Sequence, residues 1–496
     1  MTHETIGARL SLPRRRLRGA RLLVPLLLLG GVLAGCESAS RVTHDANAGS
    51  TARGIILFMG DGMGISTVTA ARIYAGQSLG LPGEAHALSF ENFPHVALVK
   101  TYNTDMQVPD SAGTMTAIAT GKKTRAGMLS VGPQTPRGDC ASALRNELPT
   151  LLERLEAQGW QTGLISTARI THATPAALYS HSPDRDWEAD SDLPDAARVA
   201  GCRDIARQLV EFGDHNGGDG VDVVLGGGRA MFYPQGAADA EAPEKSGDRT
   251  DGRDLVAEWL AGGGERSYAW NTRQLDALGA RDAGAGQVLG LFERSHMQFE
   301  ADRDKGPDGE PDLAALTEFA IRRLRQRAGD GRFFLMVEAG RIDHAHHFNN
   351  AYRALEDTLA LDAAVQRAQS LTGDDTLIMV TADHSHTFTI SGYPRRGNPM
   401  LGLVRGPNGE LQLDATGQPY TTLGYANGPS ARNEPRPLTQ ALVTAPDYQQ
   451  ASTVALYAET HAGEDVAAYA IGPAAVRVRG VLEQNALFDV LAEAAR

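Results

Sequence analysis

Five apolar runs alternate with amphipathic segments along this 496-residue chain, and that alternation constrains its fold more than any other feature. The apolar runs, each short enough to be a buried strand, are Ile55–Met59, Thr162–Ser166, Val221–Leu225, Phe333–Val337 and Thr376–Val380. The amphipathic segments, which favour helices, are Leu148–Gln158, Asp195–Glu211, Leu313–Arg327 and Tyr352–Ser370. Alternating strands and helices predict an α/β fold with a mostly parallel central sheet and helices on both faces.

Four of the predicted strands are followed by polar clusters, namely Gly60–Gly64, Thr167–Pro175, Glu338–His347 and Thr381–His386. Ligands of open α/β sheets bind beyond the carboxyl ends of the strands, so we expect these clusters to converge on one site. A helix that begins near Arg341 would place Asp343 and His347 on one face, where carboxylate and imidazole can hold one divalent cation. Taken alone, that segment is equally compatible with a solvated helix start.

The N-terminus has the features of an export signal. Five arginines (Arg14, Arg15, Arg16, Arg18 and Arg21) precede an apolar run, Leu22–Leu33, that is too short to span a membrane. The sequence Leu33-Ala34-Gly35-Cys36 resembles the lipobox of bacterial lipoproteins. The resemblance implies removal of residues 1–35 and lipidation of Cys36, so that the protein is anchored to a membrane, facing the periplasm or the cell surface. The alternative is a simple secretory signal, with Cys36 incidental.

The rest of the chain divides by composition. Residues 36–52 are mostly small and polar and predict a tether, and residues 53–491 predict one catalytic domain. Within it, residues 391–460 are rich in Gly, Pro, Asn and Thr, which indicates a small inserted subdomain, and the charged stretch 234–253 predicts a surface loop. The net charge of −13 argues against a nucleic-acid partner. If Cys36 is lipidated, the two other cysteines, Cys140 and Cys202, are candidates for a disulfide.

Ser111 lies in the segment Pro109–Thr114, just before a helical pattern that runs to about Thr120. A serine in this position is commonly an N-cap. The functional alternative is a nucleophile at a helix N-terminus, where backbone amides help to hold an anion. Such a hydroxyl needs a base or a metal to activate it.

Six separated motifs resemble those of the alkaline phosphatases in their order. They are Gly60–Gly64, Pro109–Thr114, Ile170–Ala176, Glu338–His347, Thr381–His386 and Thr460–Asp465, and the resemblance covers roughly residues 53–491. Three connecting segments, Asp184–Trp187, Gly201–Ile205 and Ala351–Leu355, look closer to the animal enzymes than to the enteric bacterial type. The spacing of Cys140 and Cys202 also looks like a disulfide of the animal branch. The resemblance further implies a homodimer, since members of the family commonly pair.

The resemblance implies two zinc ions and one magnesium ion per subunit. Ser111 would become the phosphoserine intermediate, and Arg185, oriented by Asp110, would grip the phosphoryl oxygens. The implied ligands are Asp343, His347 and His461 for one zinc; Asp61, Asp383, His384 and Ser111 for the other; and Asp61, Thr174 and Glu338 for magnesium. His172 and His344 occupy positions near the magnesium where the enteric type has Asp and Lys. They therefore imply weaker magnesium retention and a more alkaline optimum.

A calcium site outside the catalytic centre is implied by part of the animal pattern. Its ligands would be the carbonyl of Phe292 and the carboxylates of Glu241, Glu293 and Glu310, although the family has Asp where Glu310 stands. An all-oxygen set suits calcium. An ordinary acidic surface loop is the alternative. His346 and His181 have no implied role, and we expect both to be structural.

The function predicted from these residues is metal-dependent hydrolysis of phosphate monoesters at alkaline pH. The enzymatic alternative is a relative such as a phosphodiesterase or a sulfatase. A sulfatase needs Pro two residues after the nucleophile, where this chain has Gly113, and diesterases often lack the guanidinium of Arg185. The other alternative is a metal-binding surface lipoprotein without catalytic activity, which would be natural only if a ligand or Ser111 were missing.

Overall fold

The computed structural model describes residues 51–213, 218–280, 286–432 and 437–496. The predicted signal peptide, the lipidation site Cys36 and all but the last two residues of the predicted tether lie outside the described residues. In the described part of the chain, no helix is both long enough and apolar enough to cross a membrane.

The described strands are β1 (Gly54–Gly60), β2 (His95–Lys100), β3 (Gln161–Arg169), β4 (Val223–Gly227), β5 (Arg266–Ala269), β6 (Gln287–Leu291), β7 (Phe333–Ala339), β8 (Thr376–Ala382), β9 (Ser385–His386), β10 (Phe388–Ile390), β11 (Leu423–Gly428), β12 (Ser452–Ala455), β13 (His461–Ala462), β14 (Val466–Ile471) and β15 (Gly480–Glu483). Ten of them form one sheet in the order β15-β2-β14-β8-β1-β7-β3-β4-β6-β5. Within that sheet only β14 pairs antiparallel with its neighbours, β2 and β8. The predicted mostly parallel sheet is therefore confirmed.

The described α-helices are α1 (Ile65–Ser78), α2 (Ser111–Thr120), α3 (Cys140–Ala143), α4 (Leu151–Glu156), α5 (Ala173–Tyr179), α6 (Asp195–Ala200), α7 (Ile205–Val210), α8 (Leu255–Ala261), α9 (Thr272–Gly279), α10 (Leu313–Ala328), α11 (Arg341–His347), α12 (Ala351–Leu371), α13 (Gln440–Val443) and α14 (Ala486–Ala494). Many begin at a side-chain cap, as where Asp312 accepts a hydrogen bond from the amide of Ala315 at the start of α10. Helices α10 and α12 confirm the predicted Leu313–Arg327 and Tyr352–Ser370.

Two sequence predictions need correction. The predicted helix Asp195–Glu211 is divided, because Gly201 adopts a left-handed φ of 94° that ends α6 and Asp204 then caps α7. The stretch 234–253 has no helix or strand, as predicted, but Arg249 within it is fully buried and ion-paired with Asp204. A buried arginine needs such a partner, and only the folded chain supplies it. The inserted subdomain 391–460 stays a prediction, although that segment contributes β11 and β12 to a small sheet with β10.

The four strands that carry polar clusters are neighbours at the centre of the sheet, in the order β8-β1-β7-β3. Their register aligns Met59 of β1 with Glu338 of β7 and with Thr381 of β8. Three of the strands, β1, β7 and β8, are buried along their whole length, as expected for parallel strands covered by helices on both faces. All four carboxyl ends therefore open on one edge, which confirms the expected convergence.

Candidate active site

The first group that could hold a metal joins helix α11 to the distant strand β13. His347 Nε2 lies 3.3 Å from Asp343 Oδ2, which confirms the predicted pairing of residues four apart on one helical face. His461 Nε2 lies 3.3 Å from the other oxygen, Asp343 Oδ1. The structure thus brings together the three residues predicted to hold the first zinc.

Backbone carbonyls fix the orientation of both imidazoles in this group. His347 Nδ1 donates to the carbonyl of Glu459 (2.6 Å), and His461 Nδ1 donates to the carbonyl of Pro109 (2.8 Å). With Nδ1 committed as a donor, Nε2 of each neutral ring keeps a lone pair that faces Asp343. The surrounding chain therefore orients both rings in a way that would suit metal ligands.

The second group consists of Asp61, Asp383 and His384, all with no exposed surface. His384 Nε2 lies 3.3 Å from Asp383 Oδ2 and 3.5 Å from Asp61 Oδ1. Asp383 Oδ1 accepts hydrogen bonds from two backbone amides, whereas Asp383 Oδ2 and both carboxylate oxygens of Asp61 have no hydrogen-bond donor among the described residues. Buried carboxylate oxygens without donors fit a bound cation.

The third group shares Asp61 and adds Glu338 from the end of β7 and His172, with ligand atoms within 4.8 Å of one another. Burial raises the pKa of Glu338 to about 7, against the lowering effect of the hydroxyls of Ser166 and Thr174. Thr174 is fully buried at the start of α5. His172, predicted only to lie near the magnesium, thus borders the third group itself. His344 lies further out, with its ring centre 5.5 Å from that of His172.

Electrostatics of the three groups favour cations. Burial raises the pKa of Asp61 well above its usual value, and the neighbouring carboxylates of Asp383, Asp343 and Glu338 raise it further. Four carboxylates buried so close together repel one another unless positive charge is bound between them. Oxygen and imidazole nitrogen donors are the ligands that zinc uses, and the oxygen-rich third group also suits magnesium.

Ser111 is the first residue of α2 and lies against the second metal group, with its Oγ 3.2 Å from His384 Nε2. The N-cap is Asp110, which has an extended backbone and accepts from the amide of Gly113 (3.1 Å). The interpretation of Ser111 as an N-cap is therefore wrong. The Ser111 hydroxyl is therefore not used as the helix cap. It lies at a helix N-terminus, where backbone amides and the helix dipole favour a bound anion.

Arg185 faces the same helix end. Its Nη1 donates to Asp110 Oδ2 (3.2 Å), and its Nη2 donates to His172 Nε2 (3.0 Å). The Asp110 carboxylate also accepts from the amide of Gly127 and from the side chain of Asn103, so it is held in place from several directions. The structure brings the nucleophile candidate, the guanidinium and the metal groups to one site.

Three residues near the site were missed by sequence reasoning. His386 bridges two buried carboxylates, with its Nε2 2.7 Å from Asp343 Oδ1 and its Nδ1 2.5 Å from Glu459 Oε2. Burial alone would lower the pKa of His386, but these two carboxylates raise it to about 10. His296 accepts from Arg169 Nη1 (2.6 Å) and packs its ring 4.2 Å from that of His344. The motif Thr381–His386 contained His386, whereas His296 and Glu459 carried no spacing signal.

The remaining predicted residues lie outside this centre. Glu241, Glu293 and Glu310 interact electrostatically, and burial together with Glu293 and Glu241 raises the pKa of Glu310 to about 8. Cys140 and Cys202 form a disulfide with Cα atoms 5.9 Å apart, as predicted. His346, predicted to be structural, is fully buried and makes hydrogen bonds with Thr67 and Tyr425. His181 is likewise mostly buried and pairs with Glu153.

Comparisons with known proteins agree with this geometry. The sequence profile of the family described as "Alkaline phosphatase" matches residues 52–496. The tissue-nonspecific alkaline phosphatase isozymes of Gallus gallus and Homo sapiens are 43% and 42% identical to this chain, each over 90% of it and over 85% and 84% of their own lengths. The alkaline phosphatase of Thermus thermophilus has a TM-score of 0.63 at 23% identity and covers 91% of this chain and 93% of its own, which shows the shared fold. The expected likeness to animal enzymes is confirmed.

Proposed function

We propose that this chain, which belongs to the alkaline phosphatase family and is a phosphomonoester hydrolase, works through a phosphoserine intermediate on Ser111. The observation that carries the proposal is the position of Ser111 Oγ, 3.2 Å from His384 Nε2, between the metal groups and the helix end beside Arg185. No other described hydroxyl combines these surroundings with the family motif.

The donor sets support two zinc ions and one magnesium ion. Asp343, His347 and His461 would hold one zinc, and Asp61, Asp383 and His384 the other. Asp61, Glu338 and Thr174 would hold magnesium. When bound, such cations lower the pKa of a coordinated oxygen nucleophile and neutralise the charge that develops on the phosphoryl group.

The chain's own residues then perform two displacements. Ser111 Oγ loses its proton and bonds to phosphorus as the bond from phosphorus to the alcohol oxygen breaks. The alcohol oxygen takes up one proton, which balances the one that Ser111 lost. Water then attacks the phosphoserine, releases inorganic phosphate and restores the hydroxyl. Arg185 pairs with two phosphoryl oxygens throughout, since its planar guanidinium matches them, and Asp110 holds it in that orientation. The amides at the start of α2 support the same anion.

The central test compares p-nitrophenyl phosphate with the bis-ester at alkaline pH, before and after chelation. We expect strong monoester turnover that falls by at least about 1,000-fold on chelation and returns only with both zinc and magnesium, because the buried carboxylates need cations to bind an anion. Preferred turnover of the bis-ester would favour a diesterase and contradict the role of Arg185. Metal binding without turnover of either substrate would favour the non-enzymatic alternative.

His172 and His344 are expected to weaken magnesium retention. Replacing them together, His172→Asp with His344→Lys, should tighten magnesium binding by about 10-fold and move the pH optimum downward, because magnesium prefers carboxylate oxygen to imidazole nitrogen. Calorimetric titration with magnesium and a pH profile measure the two effects. The exchange His346→Gln is the control for loss of a buried imidazole, since the ring of His346 is hydrogen-bonded to Thr67 and Tyr425. A double variant unchanged in both measurements would contradict this expectation.

We also propose calcium at Glu241, Glu293 and Glu310 with the carbonyl of Phe292. Support comes from the electrostatic interaction of Glu310 with Glu293 and Glu241, although Glu241 also pairs with Arg229 and Glu310 replaces the family's aspartate. Calcium should raise the thermal midpoint of the zinc- and magnesium-loaded protein by a few degrees through linkage, and Glu293→Gln should abolish that shift. An equal shift in the variant would locate the calcium elsewhere.

Export, lipidation and dimerisation complete the proposal. The basic and apolar leader before Cys36 supports a lipid anchor, and the family resemblance supports a homodimer. Intact mass of the mature chain should show a lipid-modified Cys36, and light scattering of detergent-solubilised protein should give twice the chain mass. An unmodified N-terminus or a monomer would contradict the respective part.

A further inference from the structure

A second arginine, Arg137, binds the turn that carries Arg185 and has no role in the proposed function. Arg137 Nη2 donates to Asp184 Oδ1 (2.7 Å) and to Asp186 Oδ2 (2.9 Å), the two carboxylates that flank Arg185 in sequence. The amide of Asp186 donates to Asp184 Oδ1 as well (3.1 Å). One guanidinium thus ties together both sides of the turn.

Arg137 also packs against the backbone that orients Arg185. Its guanidinium lies so close to Gly127 that a Cβ there would stand 2.5 Å from Arg137 Cζ. The carbonyl of Gly127 accepts from the amide of Arg185 (2.8 Å), and the amide of Gly127 donates to Asp110 Oδ2 (2.9 Å). Arg137 therefore contacts a residue that is hydrogen-bonded both to Arg185 and to its carboxylate partner, Asp110.

The segment that bears Arg137 is itself anchored. The amide of Gly138 donates to the carbonyl of Pro183 (3.0 Å), and Cys140 forms the disulfide with Cys202. Trp187, two residues after Arg185, is buried in an apolar cluster with both cysteines. Two neighbouring points of the Arg185 turn are thus fixed to the same disulfide-linked segment.

We propose that Arg137 is a positioning residue for phosphate binding, which acts through Arg185 rather than on the substrate. The inference rests on the proposed role of Arg185. Without Arg137, the carboxylates of Asp184 and Asp186 lose their shared cation and the turn is free to shift. Arg185 then meets the phosphoryl oxygens less often in the bidentate geometry that its binding requires.

The test is a double-mutant cycle on the metal-loaded enzyme with p-nitrophenyl phosphate as substrate and inorganic phosphate as inhibitor. Arg137→Ala should raise KM and the phosphate inhibition constant about fivefold and leave kcat within about twofold, because Arg185 binds the phosphoryl group in ground and transition states alike. In an Arg185→Ala background the same change should add less than about 1.5-fold, since a residue that acts through Arg185 has nothing left to position. Asp186→Asn removes the charge of one partner of Arg137 at a largely exposed carboxylate, so it should raise KM and the phosphate inhibition constant by a smaller factor. This variant tests the inference if Arg137→Ala does not fold.

The control is Arg273→Ala, which removes an exposed ion pair between Arg273 of α9 and Asp308 and should change none of these constants. An Arg137→Ala effect that persists in the Arg185→Ala background would overturn the inference. So would an effect seen with pyrophosphate and absent with p-nitrophenyl phosphate, because Arg137 would then contact the leaving group. If Arg185→Ala itself has no effect, the proposed function of Arg185 fails first, and the inference fails with it.

Discussion

Ser111→Ala is expected to lower kcat/KM for p-nitrophenyl phosphate by about 10,000-fold, the scale seen when a covalent nucleophile is removed. Ser111 Oγ is the hydroxyl that lies 3.2 Å from His384 in the second metal group, at the start of α2. Alanine leaves the helix, its Asp110 cap and the other residues of that metal group, Asp61, Asp383 and His384, in place. The substitution should therefore slow the chemical step, whereas zinc content and phosphate affinity should be nearly unchanged.

The decisive measurement is trapping of the phosphoenzyme by acid quench after mixing with radiolabelled inorganic phosphate. The parent chain should retain covalent label, and the alanine variant should retain none. Ser78→Ala, which alters an exposed serine at the end of α1, is the matched control and should behave like the parent. Label that survives in the Ser111 variant would show that another residue is the nucleophile.

Glu459→Gln is expected to weaken zinc binding at the Asp343, His347 and His461 group by about 10- to 100-fold, the usual cost of losing a partner behind a metal ligand. His386 lies between the carboxylates of Glu459 and Asp343, both of which accept, so each ring nitrogen donates a hydrogen bond. An amide at position 459 removes the charge that favours the doubly protonated ring. The ring is then neutral and holds Asp343 by a weaker, uncharged hydrogen bond from Nε2, so Asp343 loses part of its orientation.

Zinc affinity measured by chelator competition on the metal-free protein gives a readout independent of activity. We expect kcat of the variant to recover at high zinc, because the described contacts of the Glu459 side chain are with His386, Thr387 and His347 and not with Ser111 or Arg185. Glu410→Gln, at an exposed carboxylate in the segment 391–460, is the control and should leave zinc affinity unchanged. Unaltered zinc affinity in Glu459→Gln would mean that the link through His386 is structural only.

Much of the fold was predictable because its signals are local. The central strands β1, β3, β7 and β8 are continuous apolar runs with both faces buried, so burial leaves its pattern directly in the sequence. Strands β2 and β15 were missed for the opposite reason. They lie at one side of the sheet and alternate buried with exposed positions or are largely exposed, as Val96 and Val481 show.

The residues of the site also divide into those with a local sequence signal and those without one. Asp343 and His347 were predictable as a pair because helical geometry alone sets their separation. His386 and Glu459 were not, because the hydrogen bond between them joins positions 73 residues apart. Arg137 gave no signal for a related reason: its partners, Asp184 and Asp186, lie 47 and 49 residues away in the chain.

The sequence by itself predicted, through the motifs it shares with the family, which residues carry the chemistry. Its local periodicity determined which strands those residues follow. Only the tertiary structure decided how those residues are oriented. His347 and His461 present Nε2 to Asp343 because carbonyls 112 and 352 residues away, at Glu459 and Pro109, accept from Nδ1. Such contacts form only when the sheet has brought distant segments together, because no local propensity fixes the tautomer of an imidazole.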